Sequence, residues 1–178
     1  MSSATFTPCA RMKDRRISTE ANNRVFIEKR SPNGRPFFYV RCVYYHYTTL
    51  AAAGLVFSGV VERYPHIRWV LGHLGGAVPF LAERFDRGYE AFPPCREHIS
   101  QPPSVYLKDF YYDTVNFDPR ALQFAIDFAG VDHLLAGSDY PHKIGSMEKM
   151  IASINRLSIT DADKAAILGG NTARLLGL

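Results

Sequence analysis

Three times between residues 48 and 178 a short apolar run stops at glycine or proline and yields to a stretch with helical periodicity. The runs are Ile67-Arg-Trp-Val-Leu-Gly-His73, Phe110-Tyr-Tyr-Asp-Thr-Val115 and His133-Leu-Leu-Ala-Gly-Ser-Asp139. Short continuous apolar segments of this kind are what a parallel strand covered on both faces requires. Alternating with helices, they predict βαβ units built on a parallel sheet. The expected fold class is therefore α/β, and three strands make only a piece of such a sheet.

Helix signals fall between the runs. Thr48 to Tyr64 reads as a mostly buried helix with Thr48 or Thr49 as its cap, ended at Tyr64-Pro65. Further helices are expected from about Ala77 to Tyr89, from Asp118-Pro119 to Ala129 and from Ser146 to Leu157. Thr160-Asp-Ala-Asp163 has the form of a capping box and starts a helix that Gly169-Gly170 should end, leaving Asn171 to cap a terminal one. Pro93-Pro94 and Pro102-Pro103 bracket an expected loop.

The first 45 residues lack this order. They carry nine Lys or Arg against three acids, while the remainder carries 12 bases and 14 acids, so the net charge of +4 resides at the front. Only Pro36 to Tyr45 reads as a strand there. A basic arm can contact an anionic partner. Three widely spaced cysteines suggest neither a disulfide framework nor a zinc knuckle. No run reaches the length of a membrane span and the N-terminus lacks a secretion signal, so a cytoplasmic protein is expected.

Reactive groups of parallel α/β proteins gather at the carboxyl ends of the strands. Here those positions hold His73, Asp113 with Thr114, and Ser138 with Asp139. His73 precedes two glycines, which suits an imidazole at a strand tip; a histidine bonded to a nearby carbonyl is the plainer alternative. Asp139 is followed by Tyr140-Pro141 and can bind a metal, move a proton or cap a turn. Asp113 is read as capping a loop in preference to orienting a histidine. The other histidines show no metal-ligand spacing, although His142 shares the loop of Asp139.

The linked motifs Phe57-Ser-Gly-Val-Val-Glu-Arg-Tyr-Pro-His-Ile-Arg-Trp-Val-Leu-Gly-His-Leu-Gly-Gly-Ala-Val-Pro-Phe, Phe110-Tyr-Tyr-Asp-Thr, Leu135-Ala-Gly-Ser-Asp-Tyr-Pro and Gly170-Asn-Thr-Ala-Arg-Leu-Leu-Gly-Leu carry a resemblance. From about Thr48 to Leu178 the chain resembles the amidohydrolase family of the aminocarboxymuconate-semialdehyde decarboxylase type. The resemblance implies a partial TIM (β/α)8 barrel, its last three strands and their helices, over residues 46–178, with residues 1–45 a basic segment of unspecified fold.

The resemblance also implies a function, metal-dependent decarboxylation or hydrolysis of a small carboxylated aromatic or muconate-like substrate. By it, His73 is the proton-moving catalytic histidine, and Asp139 is both the metal ligand and a catalytic acid. Arg84 in Glu83-Arg-Phe-Asp86 binds a substrate carboxylate across a homodimer; an arginine paired with Glu83 or Asp86 is the plainer reading. The implied cofactor is a divalent metal, zinc with manganese as the alternative.

The family's His-x-His pair is missing and no strand-five histidine is identifiable before Thr48. The expectation is thus a chain truncated or disrupted upstream and inactive alone. The competing expectation is a non-catalytic scaffold whose basic arm contacts an anionic partner. Neither a membrane nor nucleic acid is expected as the main partner.

Overall fold

The architecture follows from a computed structural model that describes residues 19–20, 24–25 and 44–178. The chain divides into two units, Met1–Arg41 and Cys42–Leu178. In the first, β1 (Thr19–Glu20) pairs antiparallel with β2 (Arg24–Val25). Most of the strand expected over Pro36 to Tyr45 lies outside the described residues; its last two residues are helical.

The second unit begins with α1 (Tyr44–Phe57), four residues earlier than expected. Thr49 is no cap: its hydroxyl donates to the Tyr45 carbonyl one turn back, at 2.8 Å, and accepts the Ala77 N–H. Nor does the helix run unbroken to Tyr64. Gly59 at φ 71° interrupts it, because a side chain there would collide with the His98 backbone, and α2 (Val60–Arg63) follows.

Three parallel strands then order the unit: β3 (Val70–Leu71), β4 (Tyr111–Asp113) and β5 (Leu134–Leu135), paired in the order β3-β4-β5. Val70 lies opposite Tyr111, and Tyr112 opposite Leu134. The strands are shorter than the apolar runs that mark them. His73 has already entered a 3-10 turn with Leu74 and Gly75, and His133 ends another that begins at Val131. Among the described residues the sheet is an open three-stranded one, not a closed barrel.

Helices α3 (Val78–Ala91), α4 (Pro103–Lys108), α5 (Pro119–Ala129) and α6 (Met147–Asn155) fill the connections. The proline-bracketed loop follows the end of α3 as expected, and its last residue, Pro103, occupies the first turn of α4. Asp118 and Ser146 cap α5 and α6 at the expected starts. Thr160 and Asp163 form the reciprocal capping box of α7 (Asp161–Ala165). Gly169-Gly170 does not end the last helix: the chain passes through a π turn, Ala166–Gly170, into α8 (Asn171–Leu176). Asn171 is not a cap either. Its buried amide donates to the carbonyls of Val131 and Leu134, each at 2.8 Å, and so ties the chain's end to β5.

The core lies between the sheet and these helices, with Leu107, Leu122, Leu134, Ile154 and Ile167 fully buried. Tyr112 is its hub. The ring meets Phe128 edge-on and the hydroxyl donates to the Leu107 carbonyl at 2.6 Å, while burial pushes the phenol pKa strongly up. No helix among the described residues is long and apolar enough to cross a membrane.

Candidate functional site

The carboxyl ends of the three strands meet at one edge of the sheet, and each strand leaves that edge through tightly constrained backbone. After β3, four successive residues adopt positive φ: His73 (56°), Leu74 (53°), Gly75 (72°) and Gly76 (65°). The two glycines do this at no steric cost. Gly75 is needed twice over, because a Cβ there would press into the Tyr112 ring, 2.6 Å from Cδ1. For His73 and Leu74 the left-handed conformation costs about 1–2 kcal/mol each.

What offsets that cost is Asp113 at the end of β4. Its Oδ2 accepts the His73 N–H at 3.0 Å, and its Oδ1 accepts those of Leu74 at 2.7 Å and Val115 at 3.0 Å. Asp113 therefore does cap a loop, as expected, but the loop is that of the neighbouring strand and includes the histidine. Burial raises its pKa above the ordinary carboxylate range, against the three N–H donors and the nearby His73. The His73 ring lies beside α1: its Nδ1 is 3.4 Å from the Thr48 hydroxyl, and the Tyr45 ring is 5.3 Å away.

Thr114 and Gly137 extend the pairing of β4 and β5 beyond the strands. The Thr114 hydroxyl accepts the Gly137 N–H at 3.0 Å and donates to its carbonyl at 3.3 Å. Gly137 allows this approach, since an added Cβ would lie 2.9 Å from the Asp113 Cβ. Two residues on, Asp139 (φ 59°) starts a tight loop. The Asp139 carbonyl accepts the His142 N–H at 2.8 Å, and the Ser138 carbonyl accepts that of Ser146 at 2.8 Å. These bonds are all main-chain, and among the described residues nothing donates to the Asp139 carboxylate. His142 is exposed on the same loop.

The fold thus brings His73 and Asp113 into contact and sets Asp139 at the same sheet edge. Arg84 stands apart, exposed on α3. The plainer reading of Arg84 finds no support: among the described residues it forms no ion pair, and Asp86 accepts the Ser104 N–H instead. Residue reasoning missed Thr48 and Tyr45 as neighbours of the histidine, because a helix start gives no sign of what it packs against.

As to metals, no group of three or more His, Cys, Asp or Glu among the described residues could hold an ion. Asp139 by itself does not fit a catalytic zinc, which takes about three protein ligands and an open position.

A family model described as amidohydrolase matches residues 11–178. The chain belongs to the amidohydrolase family. The match begins well upstream of Thr48, where the resemblance in the motifs begins, so most of the basic segment falls within it. The 2-amino-3-carboxymuconate-6-semialdehyde decarboxylase of Dictyostelium discoideum is 34% identical over 134 residues, or 74% of this chain and 37% of that protein. Among solved structures, the 5-carboxyvanillate decarboxylase of Sphingomonas paucimobilis superposes with a TM-score of 0.67 at 27% identity, over 76% of this chain and 41% of that one. A dihydroxybenzoic acid decarboxylase of a Polaromonas species, solved with manganese and 2-nitroresorcinol, gives 0.67 at 27% identity, over 75% and 41%. This amidohydrolase chain therefore spans about two-fifths of the length of the relatives it matches.

Proposed function

We propose that the chain supplies part of the active centre of a metal-dependent decarboxylase acting on a small aromatic or muconate-like carboxylic acid. The observation that carries this reading is the common sheet edge of His73 and Asp139, in a chain whose relatives are decarboxylases. Those relatives favour decarboxylation over hydrolysis.

In this reading His73 delivers a proton to the substrate carbon that bears the carboxylate. The bond from that carbon to the carboxylate then breaks, CO2 leaves, and the electron pair returns to the substrate's conjugated system. The left-handed turn fixes where the proton is delivered, which matters because misplacement by about 1 Å can cost on the order of a hundredfold in rate. Arg84, exposed and without an ion pair among the described residues, holds a substrate carboxylate across a homodimer. Asp139 contributes one ligand to zinc or manganese. The other ligands lie outside the described residues or on another chain, and this chain alone turns over little or no substrate.

The test is the zinc and manganese content of the purified full chain, by elemental mass spectrometry, beside Asp139→Ala. No stoichiometric metal in either is the expected result for a chain that lacks the other ligands, and near-stoichiometric metal lost from the variant would overturn the reading that this chain alone is inactive. Equal stoichiometric metal in both would overturn the assignment of Asp139.

A further inference from the structure

A left-handed run aims successive backbone N–H groups into one concavity, and such concavities bind anions. The His73 and Leu74 N–H groups converge in this way, those of Gly75 and Gly76 being taken by the Gly72 and His73 carbonyls, and the anion they hold is the chain's own Asp113 carboxylate, which also accepts from Val115. A carboxylate suits the position because all three bonds need acceptors. An amide would leave one donor facing another.

We infer that Asp113 is the positioning residue of His73, setting the direction of its imidazole by gripping the two peptide N–H groups of the left-handed pair. Three observations converge on this. His73 and Leu74 are non-glycine residues in a conformation that persists only when the surroundings over-determine it. The grip comes from 39 and 40 residues away and so couples β4 to the turn after β3. The ring is also backed by Thr48 and Tyr45 of α1, so a backbone shift at residue 73 moves the imidazole against a fixed wall. Asp113 need not touch the substrate. Its role rests on the reading of His73 as the proton carrier.

The experiment is NMR on the full chain: amide exchange at His73 and Leu74, and the imidazole 15N shifts of His73 at one pH. It compares wild type with Asp113→Ala, the variant both without and with formate as a small carboxylate. In Asp113→Ala the two amides should exchange roughly ten- to a hundredfold faster, the loss expected for hydrogen bonds to a charged group. The His73 ring shifts should change as well, and formate should restore both in a saturable way. Unchanged ring shifts in Asp113→Ala would overturn the proposal, whatever the amides do.

Should Asp113→Ala not fold, Asp113→Asn takes its place. The wild type alone also decides: exchange at His73 and Leu74 as fast as in the exposed residues of the Asp139 loop would overturn it. None of these readouts needs metal or turnover. A clamp that survives while stoichiometric metal binds equally with and without Asp139 would leave this inference standing and sink the assignment of Asp139 alone.

Discussion

The ends of β3 and β5 meet the same demand, a non-glycine residue held at positive φ beside the sheet edge, and meet it in opposite ways. The turn at His73 is closed from outside, by a side chain on the adjacent strand that spends both its oxygens on peptide groups. The loop at Asp139 is closed from within, by its own main-chain bonds between Ser138 and Ser146. One carboxylate is consumed by architecture, and the other has no donor among the described residues. A half-buried acid next to a candidate catalytic residue is thus not automatically part of the chemistry. What separates the two is where the loop finds its hydrogen bonds.

The comparison breaks most readily at Asp113. Asp113→Ala leaves buried N–H groups unpaired at about 1–3 kcal/mol apiece, so a total loss of about 3 kcal/mol or more is expected from urea unfolding of the full chain. Gly137→Ala should come next. The new Cβ meets Asp113 and Val115 at 2.9 and 3.1 Å, and overpacking of this kind costs about 1–3 kcal/mol. A thermal melt reads that loss, and an unchanged midpoint would mean that β5 can slide away from Asp113 freely.

Asp113 also predicts a pH effect. Its folded-state pKa is raised, burial being the largest cause. The folded chain therefore takes up that proton more readily than the unfolded one. This contribution to stability is present below the unfolded pKa and is lost as pH rises through the folded value. Unfolding midpoints across the acidic range should carry that slope in wild type and lack it in Asp113→Asn.

The smallest effect lies away from both loops. Asp118, the exposed cap of α5, is held at about 2 by the Arg120 side chain. Its cap should persist above the ordinary carboxylate pKa and disappear as pH falls through about 2. In Arg120→Ala an NMR titration should find Asp118 raised toward the ordinary value, the backbone N–H of residue 120 keeping part of the shift. A titration left at the low value would assign the shift to the helix end instead.

Much of this was legible in the residues, where the signal is local. The capping box at Thr160 and Asp163, the opening of α5 at Asp118-Pro119 and the positions of three strands each depend on neighbours a few residues apart. The failures are tertiary. Thr49 resembled a cap because a cap and an internal hydroxyl bonded one turn back use the same residue type; Ala77, 28 residues away, decides between them. Gly169-Gly170 resembled a stop, but Asn171 anchors the passing chain to β5. The strand ends put His73 and Asp139 at one sheet edge. They could not tell which carboxylate the fold would consume.

The most direct test is a side-by-side urea unfolding of Asp113→Asn and Asp139→Asn, in the full chain and without added metal. A loss of about 1.5 kcal/mol or more is expected for Asp113→Asn, and a change within about 0.5 kcal/mol for Asp139→Asn. Equal losses, or a larger one at Asp139, would contradict the division of labour between the two strand ends.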